Sequence, residues 1–208
     1  MRTTTNAAGT RPEQERAVRR RNAILDAATR LLLSGTSAIT HRAVAADADV
    51  PLGAIRYYYD TRESLLLACI EHFDTTRSEA ARGAIMAARD TPLERAEAAR
   101  LALITYNGPA LDDDALRGMI GWVADCARES PAISERLVTL REILDRDLRA
   151  LLDAAGYAHV PTRLASAVID GAIFAATAER RSGIAEMAIC DLSNLLAVAQ
   201  PPGEKSSG

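Results

Sequence analysis

The residues best suited to chemistry fall in one stretch, residues 39–67, which reads ITHRAVAADADVPLGAIRYYYDTRESLLL. Thr40 carries a hydroxyl that can cap a helix and also meet a phosphate oxygen. His41 and Arg42 follow it and add donors suited to phosphates or base edges. Pro51, Leu52 and Gly53 form a small, compact start to a second element, where a backbone can approach bases closely. An exposed Leu52 would suit the methyl group of a thymine. Tyr57 and Tyr58 supply hydroxyls within reach of phosphates. Tyr59 is expected in the core, facing the preceding helix.

Enzymatic chemistry has no comparable foothold. His41, His72 and His159 are scattered, and Cys69, Cys126 and Cys190 are far apart. Neither set has metal-ligand spacing or forms a disulfide framework, so no metal and no cofactor is expected. The twelve glycines are dispersed, with no phosphate-binding loop, and no Ser/His/Asp or Cys/His arrangement is visible. The chain is read as a non-enzyme, and its cysteines as small buried apolar residues, with a redox-sensing thiol as the alternative.

The elements that must carry these residues are helices. The 208 residues include 41 Ala and 24 Arg against two Phe and one Trp, a composition rich in helix formers and poor in sheet formers. Nine helices are predicted, over about 13–34, 41–48, 51–58, 62–89, 92–106, 112–129, 132–155, 161–182 and 184–199. Ile24, Leu25, Ala28, Leu31 and Leu32 stripe the first. Val44, Ala45 and Ala48 face inward on the second. Ile133, Leu137, Leu140, Leu144, Leu148 and Leu151 stripe the seventh. The fold class is therefore all-α: an N-terminal three-helix helix-turn-helix domain followed by a C-terminal helical domain. The expected divisions are a flexible arm over 1–14, the helix-turn-helix domain over 15–61, the second domain over 62–199 and a flexible tail over 200–208. No apolar run approaches the roughly 20 residues of a membrane span, and no signal-peptide core is visible, so a cytoplasmic protein is expected.

Two short helices around a tight turn, with a longer helix after them, have the logic of DNA reading. The first anchors on the backbone and the second enters the major groove. Charge agrees with this. Residues 1–60 hold 9 arginines and 6 acids, a net of +3, while residues 61–208 hold 16 basic and 22 acidic residues, a net of −6. The overall −3 is the sum of these two regions. The run Arg19-Arg20-Arg21, with Arg2, Arg11 and Arg16 before it, can lie along phosphates or enter a minor groove. A solvated helix face is the plainer alternative.

Residues 15–72 resemble the N-terminal domain of TetR-family transcriptional regulators. Ile24-Leu25-Asp26-Ala27-Ala28 matches that family's first helix, and Thr40, Arg42, Val44, Ala45 and Val50 match its second helix and turn. Gly53, Ile55, Tyr58, Arg62, Leu65 and Leu66 match its recognition helix and the segment after it. Four positions depart from the pattern: Asp49 stands for a turn glycine, Pro51 for a serine, Tyr59 for a phenylalanine, and Arg56 for a tyrosine, where it supplies a cation able to read guanine or hold phosphate. The site residues implied for double-stranded DNA are Thr40, His41, Arg42, Pro51, Leu52, Gly53, Arg56, Tyr57, Tyr58 and Arg62.

The resemblance implies a homodimeric repressor released from its operator by a small-molecule effector, with the 62–89 helix as the lever between domains. The last two helices are the expected dimer face, through Ala165, Ala167, Gly171, Ala172 and Ala175 with Leu192, Leu195 and Leu196. The candidates for the effector pocket are His72, Tyr106, Met119, Trp122, Cys126, Asp170 and Phe174, polar and aromatic residues on otherwise apolar helices. Ordinary core packing is the alternative for each. The competing function is a helical interaction protein that has lost DNA binding.

Overall fold

A computed structural model describes residues 10–198. The described residues contain nine α-helices and one 3-10 turn, and no strand occurs among them. The chain divides into two compact units, Met1–His72 and Phe73–Gly208. The boundary falls inside one long helix.

The N-terminal unit contains α1 (Thr10–Leu32), a 3-10 turn (Thr36–Ala38), α2 (His41–Asp47), α3 (Leu52–Tyr58) and the first part of α4 (Arg62–Asp90). Helix α1 begins earlier than expected, so residues 10–14 of the anticipated arm are helical. Residues 1–9, including Arg2, and the tail over 200–208 lie outside the described residues. Ile24, Leu25, Ala28 and Leu32 of α1 are buried, as the stripe predicts, with Ile39, Val44, Ile55, Leu65 and Leu66. Tyr59 is also buried, and Arg21 of α1 donates to its hydroxyl at 3.3 Å. Burial, foremost, raises the Tyr59 pKa despite the nearby guanidinium.

The turn between α2 and α3 survives without glycine. Asp49 adopts φ 50, in the left-handed region, and Val50 N–H donates to the Ala45 carbonyl at 3.0 Å. This is a helix stop of the Schellman type, which needs one left-handed residue, and Asp tolerates that geometry better than most.

The C-terminal unit contains the rest of α4, then α5 (Arg95–Asn107), α6 (Asp113–Cys126), α7 (Pro131–Ala154), α8 (Thr162–Ala178) and α9 (Ile184–Val198). Helix α5 lies at its centre, against α7 and α9, and α8 packs on α9. Ala98, Ala99 and Ala102 on α5 are buried and leave little side chain between backbones, which permits that close packing. Side-chain caps start two of these helices: Asp112 accepts from Ala115 N–H at 2.9 Å and Ser130 from Ile133 N–H at 3.3 Å.

Two helix boundaries and part of the expected dimer face differ from expectation. Helix α5 starts three residues after Pro92, with Glu94 still extended. Helix α8 ends at Ala178 because Arg180 takes the left-handed conformation, φ 53, and Arg181 N–H donates to the Ala176 carbonyl. The sequence points to Ser182-Gly183 for this stop, because a left-handed arginine has no sequence signature. Ala165, Ala172, Leu192 and Leu196, expected on the dimer face, are buried in the unit's own core. Helix α8 does expose Ala167, Gly171 and Ala175 of the expected face, in one row with Leu164, Phe174 and Ala178.

One buried ionic cluster ties the C-terminal part of α4 to its neighbours. Arg77 is fully buried. Its guanidinium donates to Asp74 at 2.9 Å, to Asp147 of α7 at 2.8 Å, to Ser78 at 2.7 Å and to the Thr105 carbonyl of α5 at 2.7 Å. Burying a lone cation carries a penalty of several kcal/mol, and here two carboxylates and two neutral acceptors offset it. Gly108, at φ 91, sits beside this side chain, where an added Cβ would stand 3.7 Å from the Arg77 Cβ. Its backbone conformation, more than the space, calls for glycine.

Candidate functional site

Within the N-terminal unit the candidate surface is built by α2 and α3. Thr40 caps α2 through a side chain that accepts from Ala43 N–H at 3.1 Å. That leaves its hydroxyl proton available to an outside acceptor. Arg42, in the first turn of α2, is exposed and makes no ion pair among the described residues. Pro51 and Gly53 are exposed at the start of α3, and a Cβ added at Gly53 would meet nothing within 4 Å. Arg56 is exposed, and Tyr57 is 83% exposed, an unusual position for so large an aromatic side chain. Leu52 and Tyr58 are half-buried, so each offers only part of its side chain to an outside partner.

Two of the candidate residues turn inward. His41 Nε2 lies 2.8 Å from the Tyr59 carbonyl oxygen, which ties the start of α2 to the end of α3. Arg62 donates from Nε to the Ile39 carbonyl at 3.1 Å and from Nη2 to the Thr36 carbonyl at 2.7 Å. It therefore braces the loop before α2. The structure brings Thr40, Arg42, Pro51, Gly53, Arg56 and Tyr57 to the surface of two successive short helices and places His41 and Arg62 behind them as supports. Arg16 and Arg20 on α1 are exposed as well, while Arg19 pairs with Glu15 at 3.8 Å.

Within the C-terminal unit a cavity of about 490 Å³ opens among α4 to α8. That volume lies within the range of small-molecule sites, roughly 300–1,000 Å³. Five of the seven anticipated pocket residues line it: Tyr106, Met119, Trp122, Asp170 and Phe174. Trp122 is buried, stacks edge-on to Phe73 at 5.6 Å and donates from Nε1 to the Met119 sulfur at 3.2 Å. Phe174 is 61% exposed. The structure does not bring the other two to this wall. His72 belongs to the N-terminal unit, where its Nε2 lies 2.7 Å from Asp26 of α1. Cys126 is fully buried on α6 and does not line the cavity.

The polar corner of the cavity consists of Arg141, Asp170 and Tyr106. Arg141 donates to Asp170 at 2.8 Å and to Ser166 at 2.9 Å, and its Nε lies 3.4 Å from Asp145. The Tyr106 hydroxyl donates to Asp170 at 3.1 Å, and the Arg141 guanidinium sits 5.3 Å from the Tyr106 ring centroid. Burial first, then the Asp170 carboxylate, push the Tyr106 phenol far above its ordinary value, so it stays a donor. Burial opposes the charge on Arg141, but its bond to Asp170 and the surrounding carboxylates outweigh that, and its pKa is raised.

Sequence reasoning missed Arg141 and Asn107. Arg141 lies between Leu137 and Leu144 on the striped helix, at spacings of four and three, so a cation inside an apolar stripe was the available signal. Asn107 reads from sequence only as part of the Asn-Gly-Pro helix stop. It is 5% exposed and lines the cavity, and its Nδ2 makes no hydrogen bond. An unsatisfied buried donor of this kind costs about 1–3 kcal/mol. No group of three or more His, Cys, Asp or Glu side chains capable of holding a metal occurs among the described residues.

No protein-family model matches the chain, and neither does any curated protein. Solved structures do match along most of its length. A TetR-family member from Streptomyces coelicolor A3 is 26% identical, covering 85% of this chain and 97% of its own, with a TM-score of 0.61. A TetR transcription regulator from Haloarcula marismortui is 21% identical over 87% and 98% of the two chains, with a TM-score of 0.69. The multidrug binding protein EbrR, solved with ethidium, is 27% identical over 85% and 98%, with a TM-score of 0.57. The chain has the TetR-family fold. Its structural neighbours include TetR-family transcription regulators, and no described helix is long and apolar enough to cross a membrane.

Proposed function

We propose that this chain is a sequence-specific DNA-binding transcriptional regulator, a repressor released from its operator by a small molecule. The observation that carries the reading is the surface of α2 and α3. It exposes Thr40, Arg42, Gly53, Arg56 and Tyr57 together, and neither arginine is in an ion pair among the described residues. Cations left without internal partners suit an external polyanion, and small residues at the start of α3 suit close approach to base edges.

Release by an effector is supported by the cavity in the C-terminal unit, since α4 runs through the boundary of both units. A ligand acts by its differential affinity for DNA-competent and DNA-incompetent states. The exposed apolar row on α8, together with exposed Val198 on α9, supports pairing of two copies. A dimer presents two recognition helices to half-sites about 34–36 Å apart.

A gel shift with DNA from upstream of the chain's own gene tests the reading, with sedimentation run alongside. A dimer that shifts this DNA, and loses about ten-fold or more in affinity on Arg42→Ala, is the expected result. A monomer with no shift at any salt concentration would leave a helical interaction protein instead.

A further inference from the structure

Along α3 the exposure of side chains follows the turn of the helix. At about 100° per residue, Gly53, Arg56 and Tyr57 fall on one side and Ile55 on the other. Gly53, Arg56 and Tyr57 are exposed, whereas Ile55 is fully buried. Gly53 stands in the middle of the outer face, with Arg56 and Tyr57 to either side of it one turn later. A Cβ added at Gly53 would meet nothing within 4 Å, so the crest of the helix is open there. Helical side chains lean toward the helix N-terminus, so Arg56 and Tyr57 lean back over the turn that carries Gly53. Arg56 is the one cation on α3 and makes no ion pair among the described residues.

A base is read most selectively by a side chain that makes two hydrogen bonds to it at once. Arginine, lysine, asparagine and glutamine do this, and residues 40–58 hold only two side chains of these types, Arg42 and Arg56. They lie on different helices. In a helix-turn-helix the first helix crosses the DNA backbone and the second lies in the major groove. That arrangement sends Arg42, in the first turn of α2, to phosphates and Arg56, on the outer face of α3, to base edges. In that groove guanine presents two acceptors, O6 and N7, side by side. Adenine sets a donor beside its N7, thymine offers one acceptor and a methyl group, and cytosine offers a donor. A guanidinium carries only donors, in a fixed fork, so guanine is the base that matches it. We propose that Arg56 selects one guanine in each operator half-site by donating to its O6 and N7. This rests on reading the chain as a DNA-binding regulator and names the base that its surface selects.

Selection of binding sites from a pool of DNA duplexes with randomised cores, using the full chain, tests the assignment. The selected sites should share a guanine at one position of each half-site. Replacing that guanine by adenine should weaken binding about 10- to 100-fold. With Arg56→Ala the preference at that position should vanish while the preferences elsewhere remain. A second measurement uses the unaltered chain: 7-deazaguanine, which lacks the N7 acceptor, should weaken its binding at that position and leave Arg56→Ala binding unchanged. Arg42→Ala should behave differently. It should keep the selected sequence, bind all sites more weakly, and lower the slope of log affinity against log salt by about one.

The assignment is overturned by selected sites with no shared guanine, or by 7-deazaguanine binding as well as guanine. It is equally overturned if Arg56→Ala keeps the selected sequence and lowers the salt slope by about one, because Arg56 then holds a phosphate. The regulator reading fails in a different way. A chain that binds no duplex of the pool at any salt concentration refutes that reading and the guanine contact with it. A chain that selects sites lacking the guanine refutes the contact alone.

Discussion

The two units differ in how they use arginine, although Arg19 and Arg30 of the N-terminal unit also meet carboxylates, at 3.8 and 2.8 Å. In the C-terminal unit Arg77, Arg136, Arg141, Arg146 and Arg149 each end on a carboxylate, and Arg77 is fully buried there. In the N-terminal unit Arg16, Arg20, Arg42 and Arg56 end in solvent. Arginine cannot lose its charge, so the fold must either neutralise it internally or leave it for an outside anion. The first use holds helices together around a cavity. The second stores positive potential on a surface, with nothing internal to be lost when a partner arrives.

The largest effect that tests this contrast is on stability. Arg77→Met removes the buried donor that Asp74, Asp147 and the Thr105 carbonyl share and leaves the two carboxylates to Arg136 and Arg146 nearer the surface; removing one side of a buried ion pair costs about 3–5 kcal/mol. Arg42→Ala and Arg56→Ala, on an exposed surface, should shift unfolding by no more than about 0.5 kcal/mol. Urea melts of the three variants give the comparison. A small loss for Arg77→Met, or a large one for either surface variant, would break it.

A mid-sized effect sharpens the description of the N-terminal unit. Thr40→Ala removes the cap on α2 and should cost about 1 kcal/mol in the same melt, with Thr40→Ser recovering most of it. If Thr40→Ala leaves the melt unchanged while weakening DNA binding, its hydroxyl serves the phosphate rather than the helix.

The smallest effect is a pH dependence in the C-terminal unit. The unfolded Tyr106 phenol ionises near pH 10.0, whereas in the folded chain burial and Asp170 hold its proton to far higher pH. Above pH 10.0 the unfolded chain releases this proton and the folded chain keeps it, so stability should be level below that pH and fall above it. Tyr106→Phe should flatten the fall, measured as urea midpoints at about pH 8 and about pH 11. Tyr59, also raised by burial, will keep part of the slope in the variant. An unchanged slope would mean that Tyr106 is not held as the structure shows.

Much of the fold was legible because its signals are local. Thr40, Asp112 and Ser130 announce helix starts within three residues of the amides they cap. The exposed positions of α2 and α3 were legible for the same reason, since short helices around a turn leave few ways to place the side chains between. Where the signal was non-local, the reading failed. His72 looked like a pocket residue from its apolar neighbours, yet its partner, Asp26, is 46 residues away in sequence. Arg180 closes α8 in a conformation that its residue type does not advertise.

The helical class, the number of helices and the helix-turn-helix surface with its excess of arginine could all be read from the order of residues alone. They follow from propensity, periodicity and caps, which act over a few residues. Packing had to settle that Arg62 braces a loop, that Ala165 and Leu192 serve the unit's own core, and that Arg141 closes on Asp170 while the Asn107 amide is left with a free donor. Each of these depends on which helices lie side by side. Burial and hydrogen-bond satisfaction are properties of that arrangement, which no single stretch of sequence contains.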